Sequence, residues 1–179
     1  MNMPEKRLKY LIFALAAASI CLRAPLTCVG STVGIIKEVF SLNATVAGII
    51  TTIPLLAFAL FSAIMTPLSK RLGSGRLMLL GMVVLGIGIV LRPFTGKAGF
   101  FIFTVAIGAG IAVGNVVIPS IIKRYYPTRT ASMNGLYTTG TLFSAGIATA
   151  FTTPMLNAGL GWQGVLAIWA VLAVIAIVV

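Results

Sequence analysis

Few side chains in this 179-residue chain could do chemistry. There are two carboxylates, Glu5 and Glu38, two cysteines, Cys21 and Cys28, no histidine, and one arginine, Arg23, isolated in a long apolar run. Without aspartate, histidine or paired carboxylates the usual general acid and base groups are missing, so the chain is not expected to be an enzyme. The same poverty of ligands argues against a metal site or any other cofactor and leaves the cysteines as buried reduced thiols.

Arg23 is the exception that needs a partner. Its nearest flanking charges, Lys9 and Lys37, are each fourteen residues away, about 21 Å along a helix, too far for its head to reach either interface. A guanidinium at that depth costs about 2.5 to 3.5 kcal/mol even on insertion scales, so it should face a bundle interior or a wet cavity. Ser19, Arg23, Thr27 and Gly30 recur at helical spacing, which predicts a small and polar stripe lining such a cavity. A permanently charged, planar group with five donors suits a small anion such as a carboxylate.

The elements that must hold Arg23 follow from composition. Hydrophobic residues make up 59% of the chain and charged ones 8%, with mean hydropathy +1.12, so this is an integral membrane protein. The net charge of +11 does not form a nucleic-acid face, because the basic residues come in threes between apolar runs. Spans are predicted at about 10–36, 44–68, 77–92, 99–122, 131–155 and 164–179. The first is too long for a signal peptide and should be retained. Pro25 should bend it near Arg23.

Lysine and arginine number nine in the leader and in the loops at 70–76 and 123–129, against three at Lys37, Arg92 and Lys97. By the positive-inside rule the N-terminus is cytoplasmic. Gly110 and Gly114 lie in a glycine-rich string within the fourth span, where close helix packing is a better reading than a nucleotide fingerprint. The fifth span carries a polar stripe of Asn134, Tyr137, Thr138, Thr141 and Ser144.

Ile35-Ile-Lys-Glu-Val-Phe40 is similar to Ile121-Ile-Lys-Arg-Tyr-Tyr126, and Gly48-Ile-Ile-Thr-Thr52 to Gly135-Leu-Tyr-Thr-Thr139, at offsets of 86 and 87 residues. The expected fold class is therefore an all-α membrane protein with six transmembrane helices arranged as a three-plus-three inverted repeat, the unit of many carriers.

The chain resembles the N-terminal half of a major facilitator superfamily carrier, in the cyanate permease and 2-nitroimidazole transporter family. The resemblance rests on Leu22-Arg23-Ala-Pro25 with Gly30, Thr51-Thr52-Ile-Pro54, the basic loop from Leu68 to Arg76, Leu91-Arg92, and Gly114-Asn115-Val-Val-Ile-Pro119-Ser-Ile-Ile-Lys123-Arg124. Two positions depart: Cys21 stands where relatives often carry asparagine, and Lys70 where the superfamily's loop is acidic.

The resemblance implies alternating-access transport, secondary-active or facilitative, of a small anionic or polar organic solute. Arg23, aided by Thr27, Thr51, Asn115, Tyr137 and Thr141, is expected to form this half's wall of a central cavity, with Lys70, Arg71, Gly73 and Arg76 as a gating loop. Residues 1–179 would form one six-helix bundle in the bacterial cytoplasmic membrane. Its partners would be the bilayer and a C-terminal six-helix half or a second half-carrier. An oligomeric pore and a membrane scaffold are the alternatives.

Overall fold

The computed structural model describes residues 5–178, and of residues 5–11 and 178 the backbone alone. The side chains of Lys6, Arg7 and Lys9 in the basic leader therefore lie outside the described residues. Among the described residues the regular structure is all helical: α1 (Glu5–Val39), α2 (Ala44–Leu72), α3 (Ser74–Leu91), α4 (Gly96–Tyr125), a 3-10 turn at Pro127–Arg129, α5 (Thr130–Asn157), α6 (Trp162–Ala167) and α7 (Ala170–Val178). Four stretches are long and apolar enough to cross a membrane: Ile12–Val39, Ala44–Leu72, Ser74–Leu91 and Gly96–Tyr125. At 28 residues α5 is as long as these, about 42 Å, but its threonines and serines lower its hydropathy.

Two expectations about the elements change. The sixth span, expected at 164–179, is an apolar helical stretch over Trp162–Ile177 interrupted by a turn at Ile168 and Trp169 between α6 and α7. There the amides of Val171 and Leu172 reach back three residues, to the carbonyls of Ile168 and Trp169, the tighter 3-10 pattern. The basic loop at 69–76 contracts to a single residue. Lys70 and Arg71 end α2, Arg76 begins α3, and Gly73 alone connects them at φ +84°, a conformation that a side chain would strain.

Helix α4 organises the bundle because its glycines let three neighbours approach at once. A Cβ added at Gly108 would lie 2.6 Å from the Pro54 carbonyl oxygen of α2, one at Gly110 would lie 2.9 Å from the Gly81 carbonyl of α3, and one at Gly114 would lie 2.5 Å from Leu22 of α1. The pairing expected of Gly110 and Gly114 is thus divided between two partner helices. Lipid supplies no hydrophobic drive between helices, so such close backbone contact has to hold them together. On the α2 and α3 surfaces Leu56, Leu60, Ile64, Leu80 and Ile87 stay exposed, as apolar side chains facing acyl chains would.

Buried hydroxyls meet the demand that every polar group in lipid find an internal partner. Thr32, Thr104 and Thr152 donate to the carbonyls of Cys28, Phe100 and Ala148 one turn back. At the end of the bundle where α1 stops and α4 and α6 begin, Phe40, Phe100 and Trp162 meet edge to face at 5.7 to 6.3 Å between ring centroids. Such pairs add attraction beyond their buried area.

Candidate functional site

Arg23 projects from α1 as an exposed residue, although Leu22, Ala24 and Pro25 beside it are buried. Among the described residues its guanidinium makes no hydrogen bond or ion pair. It lies within electrostatic range of the Tyr137 phenol on α5. The stripe expected around it is split by the packing. Ser19 is fully buried, donates to the Leu15 carbonyl and faces Gly140 of α5, whereas Thr27 is half-buried and Gly30 exposed. The stripe therefore starts beneath α5 and emerges only at Arg23.

Asn115 of α4 and Tyr137 of α5 are joined directly, the phenol donating to Asn115 Oδ1. The orientation of the amide follows from its other bond. Nδ2 donates to the Ile111 carbonyl at 2.9 Å, and an acceptor at that position requires the nitrogen, so Oδ1 must face Tyr137. The Tyr137 proton is then committed to Asn115, and its oxygen has only lone pairs left to offer.

The remaining hydroxyls of the expected wall are spent in the same way. Thr27 donates to the carbonyls of Arg23 and Ala24 at 3.3 and 3.4 Å, Thr51 to Gly48 at 2.9 Å, and Thr141 to Thr138 at 2.7 Å. Donor capacity on this wall is concentrated in Arg23 and in the second Nδ2 hydrogen of Asn115, and the hydroxyls act as acceptors. The bonds described link Asn115 with Tyr137 and Thr27 with the Arg23 backbone; Thr51 and Thr141 bond only within their own helices. Replacing Tyr137 with Phe removes the side-chain bond that joins α4 to α5 at the expected wall. Solute affinity should fall about 5-fold, one neutral hydrogen bond's worth, with folding retained, as a binding titration on purified protein would show.

Two apolar cavities lie elsewhere. One of about 520 Å³ runs between α3 and α7, lined by Val83, Gly86, Val90, Ala173 and Val174 among others, and one of about 300 Å³ lies over α2, α3 and α4 beside Phe61, Met65 and Val113. Neither includes a residue of the expected wall, and apolar linings of this kind suit lipid chains, not a polar solute.

Residues 15–179 match the family model of the Major Facilitator Superfamily. The chain belongs to this superfamily. Among its relatives are the uncharacterized transporter YycB of Bacillus subtilis (strain 168), 35% identical over 173 residues, and the 2-nitroimidazole transporter of Escherichia coli (strain K12), 34% identical over 156 residues. The cyanate transport protein CynX of Escherichia coli (strain K12) is 23% identical over 168 residues. These matches cover 95, 87 and 93% of this chain but 42, 40 and 44% of the relatives, so the chain spans about two fifths of their length.

In this superfamily member the residues expected to gate are exposed at helix ends. Lys70 lies nineteen residues beyond Thr51 on α2, about 28 Å along the axis, so Lys70, Arg71, Gly73 and Arg76 form a separate basic edge and take no part in the Arg23 wall.

A correction concerns Arg92, counted above among the loop cations. It is 1% exposed. Both terminal nitrogens donate to the Pro25 carbonyl at 3.4 Å, the Phe100 ring lies 5.5 Å beneath its carbon, and Nε has no partner. Nothing in the periodicity of the third span marked this residue. The available signal was the cluster of Pro93, Phe94, Phe100 and Phe101 around one cation.

Proposed function

We propose that this chain is the N-terminal six-helix half, residues 1–179, of an alternating-access carrier for a small anionic or polar organic solute. It would sit in the bacterial cell membrane with its N-terminus in the cytoplasm. The observation that carries this reading is Arg23: a permanent cation midway along a membrane helix, exposed, without a bonded partner among the described residues, and within electrostatic range of Tyr137. Left alone in lipid it would be costly, and a bound solute with acceptor atoms relieves that cost.

The helix pairing favours a three-plus-three repeat. In such a repeat α4 and α5 are the counterparts of α1 and α2. The packing of α1 on α5 then mirrors that of α4 on α2, and both pairs are extensive in this bundle. A second half would close the face that Arg23 presents, and rocking of the halves would expose the site to each side in turn.

Arg23, Thr27, Thr51, Asn115, Tyr137 and Thr141 form this half's wall of the site, Arg23 supplying donors and charge and the hydroxyls supplying acceptors. A solute that pairs an acceptor edge with its own N–H, as 2-nitroimidazole does, would use both, whereas cyanate, an acceptor without N–H, would use the donors alone; these two solutes of the relatives' names are the compounds to try first. Uptake of labelled 2-nitroimidazole into vesicles should saturate in the micromolar to millimolar range and accelerate when unlabelled solute is preloaded inside. Flux that rises linearly without such exchange would favour a pore formed by several copies and defeat the carrier reading.

A further inference from the structure

Arg92 is a whole cation enclosed by neutral groups: one carbonyl, one aromatic face and the Cys28 thiol. Stability alone does not account for it, since a buried charge is commonly replaced by a well-packed apolar side chain without loss. Its geometry is better suited to holding something in place. A guanidinium is a rigid fork, and here both outer prongs close on the same oxygen, that of Pro25.

Pro25 follows Arg23 by two residues, about 200° around the helix. The clasp therefore grips α1 on the face opposite Arg23, in keeping with Pro25 and Cys28 being buried and Arg23 exposed. It also grips α1 at a proline, where the missing amide leaves the helix easiest to bend. We infer that Arg92 is a positioning residue that sets the rotation of α1 at Pro25 and so presents Arg23 to the solute face. This inference rests on the solute-binding role proposed for Arg23.

The clasp joins two elements far apart in sequence, the end of α3 and the middle of α1. Phe100 of α4 covers the guanidinium, and Phe40 from the end of α1 and Trp162 of α6 pack on Phe100 in turn. No carboxylate among the described residues meets the guanidinium, so its only hold on α1 is the carbonyl and the neighbouring thiol.

The test uses the full-length protein in membranes, with every cysteine except Cys28 replaced. Cys28 is fully buried against Arg92, and its labelling by N-ethylmaleimide reports release of α1. Arg92→Gln should raise the labelling rate about 10-fold, and Arg92→Lys, which keeps the charge but loses the fork, should raise it too. Labelling as slow as in the parent in both variants would overturn the inference, and if Arg92→Gln fails to insert, Arg92→Lys decides alone.

In uptake of 2-nitroimidazole, Arg92→Lys should raise KM about 10-fold while the maximal rate per folded carrier is preserved. A fall in folded protein with KM unchanged would mean a merely structural role and would also overturn it. The two readings separate cleanly: Arg23→Gln with unchanged KM would reject the binding site, whereas the Cys28 labelling rate judges the clasp whatever Arg23 does.

Discussion

Arg23→Gln should lower solute affinity by about 10- to 100-fold while leaving the amount of folded protein in the membrane unchanged. The magnitude follows from the loss of charge-assisted hydrogen bonds, about 1.5 to 3 kcal/mol, with about 1.4 kcal/mol for each factor of ten. Folding is spared because the guanidinium is exposed and bonded to nothing among the described residues; removing the charge even relieves an insertion cost. Glutamine keeps an amide donor and much of the length, so the substitution tests charge and fork geometry and not volume. The measurement is uptake of 2-nitroimidazole as a function of concentration, normalised to carrier in the membrane. Unchanged kinetics would remove the main premise of the proposed site.

The second large effect is on stability and divides two glycines of α4. Gly108→Ala would drive a methyl against the backbone of Pro54, 2.6 Å from its carbonyl oxygen and 3.1 Å from its Cα, and 2.7 Å from the Ala57 Cβ. Neither backbone atom can rotate away, so α2 and α4 must separate. Overpacking of this kind costs about 1 to 3 kcal/mol, which for a chain of this size should lower Tm by about 3 to 10 °C. Gly114→Ala meets mainly the terminal methyls of Leu22, at 2.5 and 2.6 Å, and those can move by rotamer change. Thermal unfolding of the two variants in detergent should therefore rank Gly108→Ala well below Gly114→Ala. Equal losses would mean that α4 is not held by backbone contact with α2.

The value of the Arg92 clasp bears on how such a half can move. In the proposed rocking carrier each half would have to behave as a rigid body, and this bundle is tied at one end by the aromatic cluster and by a fork that links α3 to α1. If the proposed wall binds solute, discrimination would fall to the Arg23 guanidinium and the second Asn115 hydrogen, because the hydroxyl protons of Thr27, Thr51, Tyr137 and Thr141 are already committed within the protein.

What the sequence by itself determined is whatever depends on one helix and its solvent. Long apolar runs without charge have no stable alternative to crossing a bilayer, which established the membrane class and the helices. The motifs around Arg23, Pro54 and Asn115 identified the superfamily. An arginine fourteen residues from the nearest charge cannot be reconciled with lipid, which makes Arg23 conspicuous in the sequence alone.

Only the tertiary structure decided which polar residues face inward, because burial at a position depends on what another segment lays over it. Ser19 and Arg23 are one turn apart and look alike in periodicity, yet α5 covers one and not the other. Ser144 spends its hydroxyl on the Ile20 carbonyl, 124 residues away, and Arg92 closes on Pro25 across 67 residues. Arg92 had the signature of a loop cation because it follows the last apolar residue of a span. Its burial arises from Phe100 and its neighbours folding over it, a contact that no local pattern encodes.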